Sequence, residues 1–184
     1  MQFLRKLAGE TGGAEIAEAA MVLPLLFLFL FGIIWFGQTF NIYSTIAAAA
    51  REGAKVAAKP ACATCAAPAC HWGSTNFPCD GTVDTAVVKV LQTSNMSTAA
   101  ISAYSVAPAP IPCPPPFAGG GCDPPTANNV TVCRSVYLDP DFSNAPQCGT
   151  VVSFQYTVPV YLPFTTFNLQ QIKLTAVATS AMGY

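Results

Sequence analysis

AAMVLPLLFLFLFGIIWFG, residues 19–37, decides how the rest of the chain is read. It is 19 consecutive apolar or small residues. Wound into a helix at 1.5 Å per residue, it spans about 28 Å, the thickness of one bilayer core. The competing reading is a secretory signal peptide that is removed. Signal h-regions are shorter, about 7–15 residues, and need a small-residue cleavage site directly after them. Here Gln38, Thr39, Phe40 and Asn41 follow instead. No charged residue lies between Glu18 and Arg51, which explains why only 9% of the chain is charged. Pro24 removes the helical bond to the carbonyl of Ala20 and predicts a kink. Such prolines are tolerated in membranes where neighbours compensate.

Outward from the apolar run, the helical pattern continues through Ile42, Ile46 and Ala47 to Ala50 as far as Ala58. Pro60 stops it, because proline has no donor and disfavours helix at the residue before it. The predicted helix, residues 14–58, is about 65 Å long. Its alanine-rich outer half offers another helix a close approach. Arg5 and Lys6 precede the span while Arg51, Lys55 and Lys59 follow it, so the positive-inside rule does not fix orientation. The cysteines do. Cys62, Cys65, Cys70, Cys79, Cys113, Cys122, Cys133 and Cys148 all lie on the C-terminal side of the span. An even number confined to one side points to disulfides in an oxidising compartment.

Beyond the anchor, residues 60–184 read as one extracytoplasmic domain. Residues 61–79 are loop-like, with four cysteines and two prolines. Asp80-Gly81-Thr82 opens a short helix to about Thr93, with Val83, Ala86, Val87, Val90 and Leu91 at helical spacing. Residues 101–106 read as a strand. Residues 107–126 are a proline-glycine loop, and a Cys113–Cys122 disulfide is the pairing predicted to staple it. Val130, Val132 and Val136 mark another strand. Val152, Phe154, Tyr156, Val158 and Val160 alternate with polar residues, as do Ile172, Leu174, Ala176 and Ala178. That pattern predicts an antiparallel sheet with one face packed and one wet. The expected fold class is α+β: a long N-terminal transmembrane helix, then a small antiparallel-sheet domain with one short helix, stapled by disulfides.

The formal net charge is −1 and the charges are scattered, so no basic stripe exists to hold nucleic acid. Cys62-x-x-Cys65 with Cys70 and His71 has a spacing that zinc accepts, but in a cysteine-rich outer domain disulfides are the default. Asp139-Pro140-Asp141 reads as a turn rather than a calcium site. No nucleophile elbow, phosphate loop or triad is present. The chain therefore reads as no enzyme, with no metal, cofactor or small-molecule substrate.

One acid remains to be explained. Glu18 abuts the apolar run, where a carboxylate is costly unless it is paired or reaches the interface. Taken alone, it is an interfacial group favoured by the dipole of a helix start. Three stretches place it in a wider pattern: residues 13–26 (GAEIAEAAMVLPLL), residues 49–55 (AAREGAK) and the C-terminal strand pair at 151–162 and 172–182. Together they resemble the TadE-like pseudopilins of tight-adherence pilus systems, relatives of type IV pilins. The resemblance implies a leader, residues 1–13, removed by a prepilin peptidase between Gly13 and Ala14, and a transmembrane and stalk helix over 14–59. It implies that Glu18, fifth in the mature chain, pairs with the amino terminus of a neighbouring subunit and sets assembly register. It implies a single-pass protein of the bacterial inner membrane with a periplasmic C-terminal domain. Its partners would be the membrane, the prepilin peptidase, other pilin-like subunits and the pilus assembly machinery. The alternative is an uncleaved, anchored binding or adhesion module.

Overall fold

The computed structural model describes residues 11–59, 78–107, 109–113, 121–123, 125–138, 147–158 and 171–181. They form two compact units, Met1–Ile42 and Tyr43–Tyr184. One helix, α1 (Thr11–Ala58), supplies the described part of the first unit and the beginning of the second, and it is uninterrupted through Pro24. It ends two residues before Pro60, as the missing proline donor requires.

In the first unit every described side chain over residues 16–34 is exposed, with Met21 at 83% and Leu28 at 71%. A helix apolar on all sides has no wet face to present, which suits lipid. The segment is long and apolar enough to cross a membrane.

In the second unit the helix becomes one-sided. Ile46, Ala49, Ala50, Gly53, Ala54 and Ala57 are buried, while Ala48, Arg51 and Lys55 are exposed. The buried set recurs every three or four residues, one face of a helix. A second helix, α2 (Asp80–Thr93), buries Val83, Val87 and Leu91. It closes with Asn95 in the left-handed region (φ 57°), the Asn95 N–H donating to the Gln92 carbonyl and the Met96 N–H to that of Leu91. That is the Schellman arrangement, which satisfies the last carbonyls of a helix.

Five antiparallel strands make one sheet: β1 (Ile101–Ser102), β2 (Gly121–Cys122), β3 (Thr131–Tyr137), β4 (Cys148–Val158) and β5 (Ile172–Ala181). β4 is central. β5 flanks it along the register Gly149↔Ala181 to Val158↔Ile172. On its other side β3 pairs first and β1 further along. β2 and a bridge from Pro112 to Val136 lie outside β3. The expected α+β class is what the chain adopts.

The helices cover one sheet face. A Cβ placed on Gly53 would stand 2.6 Å from Val87 Cγ2 and 3.3 Å from Val152 Cγ1, so α1, α2 and β4 meet there. The close approach expected of the alanine-rich half of α1 is therefore made within its own domain, against α2 and β4. The face expected to be wet is open along β5, where Lys173, Val177 and Thr179 are exposed, and half-open at Gln155 and Thr157 of β4. On β4, Val151 and Ser153 are buried as well. Val151, Val136 and Cys133 form a second core with Val106 and Leu138 packed against it. Two local features build it. The sheet register shifts between Cys133 and Val136, with Ser135 at φ 50°, so the alternation slips by one and Val136 joins Cys133 on the same side. The expected strand at 101–106 keeps only its first two residues. The chain then crosses that face, where the Ser153 hydroxyl donates to the Tyr104 carbonyl at 3.0 Å.

The expected Cys113–Cys122 disulfide is not formed. Cys113 is bonded to Cys148 and Cys122 to Cys133. The register gives the reason. Cys122 sits directly opposite Cys133 in the β2–β3 ladder, whereas the Cys113 N–H donates to the Ser135 carbonyl beside β3. Each cysteine finds a strand neighbour before it finds the other side of its own loop. Cys79 is also disulfide-bonded. Cys62, Cys65, Cys70, His71, Asp139 and Asp141 lie outside the described residues.

Candidate functional site

The residues singled out for processing and assembly all fall on the first turns of α1. Gly13 and Ala14 are helical, and Glu18 follows Ala14 by four positions. Residues four apart stack on the same helix face with Cβ atoms about 6 Å apart. Gly13 and Glu18 are exposed, and the apolar stretch begins immediately after Glu18. An acid thus stands at the edge of an apolar helix surface of 19 residues, and no further charge follows until Arg51.

The second stretch, Arg51 to Lys55, divides its residues between two tasks. Gly53 and Ala54 are buried, and a Cβ at Gly53 would crowd the Val87 methyl at 2.6 Å. Arg51 and Lys55 face outward, with Lys55 Nζ 3.5 Å from Glu52 Oε2. An exposed pair at this spacing contributes little, about 0.3–0.5 kcal/mol. The stretch is first a packing element and only then a charged surface.

Among the described residues, no group of three His, Cys, Asp or Glu side chains is arranged to hold a metal ion. Polar groups are nevertheless gathered inside the domain. Arg134 on β3 is 3% exposed and reaches across to the start of α2, where Nη2 lies 2.6 Å from Asp80 Oδ1 and Nη1 donates to the Pro78 carbonyl at 3.0 Å. Asp123, just past β2, lies close enough to Asp80 and Arg134 for both to act on its carboxyl group. Burial, then the hydrogen bond and the charge of Asp80, push the Asp123 carboxyl up to about 7, against the opposing pull of Arg134. Burial lowers the Arg134 guanidinium from its ordinary value, and the two carboxylates oppose that. One turn into α2, buried Asp84 accepts a 2.6 Å hydrogen bond from Asn128.

Sequence reasoning missed this cluster. Its signal is adjacency: Asp80, Asp123 and Arg134 each directly follow a cysteine, Cys79, Cys122 and Cys133. The pairing of Cys122 with Cys133 brings two of the three charges together, and that pairing is not visible before the sheet register is known.

Residues 13–55 match the family model described as TadE-like protein. The match covers α1 from the expected cleavage site to Lys55 and is consistent with a TadE-like protein of tight-adherence pilus systems. That family is structural and pilus-associated. No curated protein and no solved structure matches the chain.

Proposed function

Because residues 13–55 carry a TadE-like helix, we propose that the chain is a pilin-like structural subunit processed by a prepilin peptidase and assembled through that helix with other pilin-like subunits. The observation that carries this reading is α1 itself. Its first half is apolar on every side and its second half is built into a folded domain, so lipid or neighbouring helices are what the first half can pack against. Peptide cleavage between Gly13 and Ala14 creates a new ammonium one turn before Glu18. In an apolar bundle that carboxylate gains most from an opposite charge at close range. The ammonium of a neighbouring subunit supplies one and fixes the axial register between helices. The disulfide-bonded domain then lies on the periplasmic side of the bacterial inner membrane.

Two measurements test this. Mass determination of the membrane-extracted protein should give a mature chain starting at Ala14; a retained Met1 instead supports an uncleaved, anchored binding module. Glu18→Ala should insert into the membrane normally but reduce crosslinked or filament-incorporated subunits about tenfold or more, as expected for a lost buried ion pair. Assembly at the wild-type level in that variant removes the pairing role.

A further inference from the structure

We propose that Asp80, Asp123 and Arg134 form a proton-operated latch, clamping the β2 end of the domain onto the start of α2 while a shared proton is present and loosening it when that proton leaves. The inference does not depend on the assembly reading, because every group in it belongs to the folded domain.

Three elements meet at the cluster, and each contributes one charged group. The start of α2 contributes Asp80, together with the Pro78 carbonyl just before it. β3 contributes Arg134, buried and held to both. The residue after β2 contributes Asp123, half-buried, with its N–H donating to the Val132 carbonyl at 3.0 Å. The next carboxylate along α2, Asp84, is engaged with Asn128. β2 itself has only two paired residues, so few ladder bonds hold this end of the sheet. The Cys122–Cys133 bond keeps β2 tethered whatever the cluster does. The latch therefore governs local order, not attachment.

The arithmetic of charge sets the direction. With Asp123 protonated, its hydroxyl donates to Asp80, Asp80 accepts from Arg134, and one negative charge meets one positive charge. With Asp123 ionised, two carboxylates compete for one guanidinium at close range, and like charges oppose each other. The folded-state value of about 7 lies above the ordinary 3.8, so the folded form holds the proton more tightly than the unfolded form. Stability from this group is full below about pH 4, declines as pH rises and is gone once pH passes about 7.

The test uses the full-length chain in detergent micelles with its disulfides intact. Amide hydrogen exchange at Asp123 and Thr126, corrected for intrinsic rates, is compared at about pH 5 and about pH 9. Protection should fall about tenfold over that interval in the wild type, while amides within α2 hold theirs. Asp123→Asn places an amide where the protonated carboxyl stood, donates to Asp80 and does not titrate, so its protection should be independent of pH. Asp80→Asn removes the like charge and should weaken the pH response, burial of Asp123 remaining its larger cause. A carboxyl NMR titration of Asp123 should show a midpoint near 7. A pH response that survives in Asp123→Asn overturns the latch, as does a wild-type chain with no response or an Asp123 midpoint at the ordinary carboxylate value.

Discussion

Gly149 stands where β4 has no room for a side chain. A Cβ there would meet the Ser180 carbonyl oxygen of β5 at 2.5 Å and both Leu138 methyl groups at 2.6 and 2.7 Å. The Ser180 oxygen is backbone, fixed by the β4–β5 ladder, and cannot yield without breaking that pairing. Gly53 on α1 is also crowded, but its closest obstacle is a Val87 methyl. That methyl must move by roughly 0.8 Å to reach ordinary contact, a cost that alanine's gain of about 1 kcal/mol over glycine in a helix interior offsets. The two substitutions are therefore predicted to differ. Gly149→Ala destabilises by about 2–3 kcal/mol through overpacking, while Gly53→Ala lies within about 1 kcal/mol of wild type. Denaturant midpoints measured side by side check the ranking, and equal midpoints would show that the β4–β5 contact gives way more easily than its geometry implies.

Between elements, two disulfides close loops of different length. Cys113–Cys148 spans 35 residues and Cys122–Cys133 spans 11. On the chain-entropy account the longer loop contributes about 1 kcal/mol more, because the constraint on the unfolded chain grows with the logarithm of loop length. Replacing Cys113 and Cys148 together by serine should lower the unfolding free energy by that much more than replacing Cys122 and Cys133 together. Chemical denaturation of the two double variants measures it, and the reverse order would mean that native-state contacts near β2 outweigh loop entropy. Both helices and the long strands were legible in the sequence, the first half of α1 from its unbroken apolar run and the others from apolar residues that recur at 3.6 or 2 positions over ten residues or more. α2 starts at Asp80 and ends at Thr93 as its pattern predicts. What was not legible depends on register. The slip at Ser135, the two-residue β2 inside a proline-glycine stretch, and the disulfide partners all follow from which strands lie side by side. No local propensity encodes that. The same gap hid the Arg134 cluster, since its three charges are 54 and 11 residues apart along the chain and meet only when β2 lies on β3.

For the whole chain, what stands out is that one helix serves two solvents. Residues 16–34 of α1 are exposed on every side, whereas from Ile46 onward the same helix buries a stripe of small residues in the second compact unit, Tyr43–Tyr184. The stripe of alanines invites a reading as a surface for another subunit, but Gly53 already lies on Val83, Val87 and Val152. Ala49, Ala50, Ala54 and Ala57, buried along the same stripe, belong to the domain core. What remains for neighbours is the apolar half and the outward face carrying Arg51 and Lys55. Truncation separates the two roles. A chain of residues 43–184, exported to an oxidising compartment, retains the core and should be water-soluble with a cooperative thermal transition. A chain of residues 60–184 loses Ile46 and the small-residue stripe and uncovers Val83, Val87 and Val152. Each large apolar side chain returned to water costs about 1.5–3 kcal/mol, and a few of them together approach the whole stability of a small domain, about 5–15 kcal/mol. The shorter chain should show no cooperative unfolding by circular dichroism and should yield its disulfides to mild reductant. If it unfolds as sharply as the longer chain, the outer half of α1 is not part of the domain core, and its alanine stripe becomes free to meet another subunit after all.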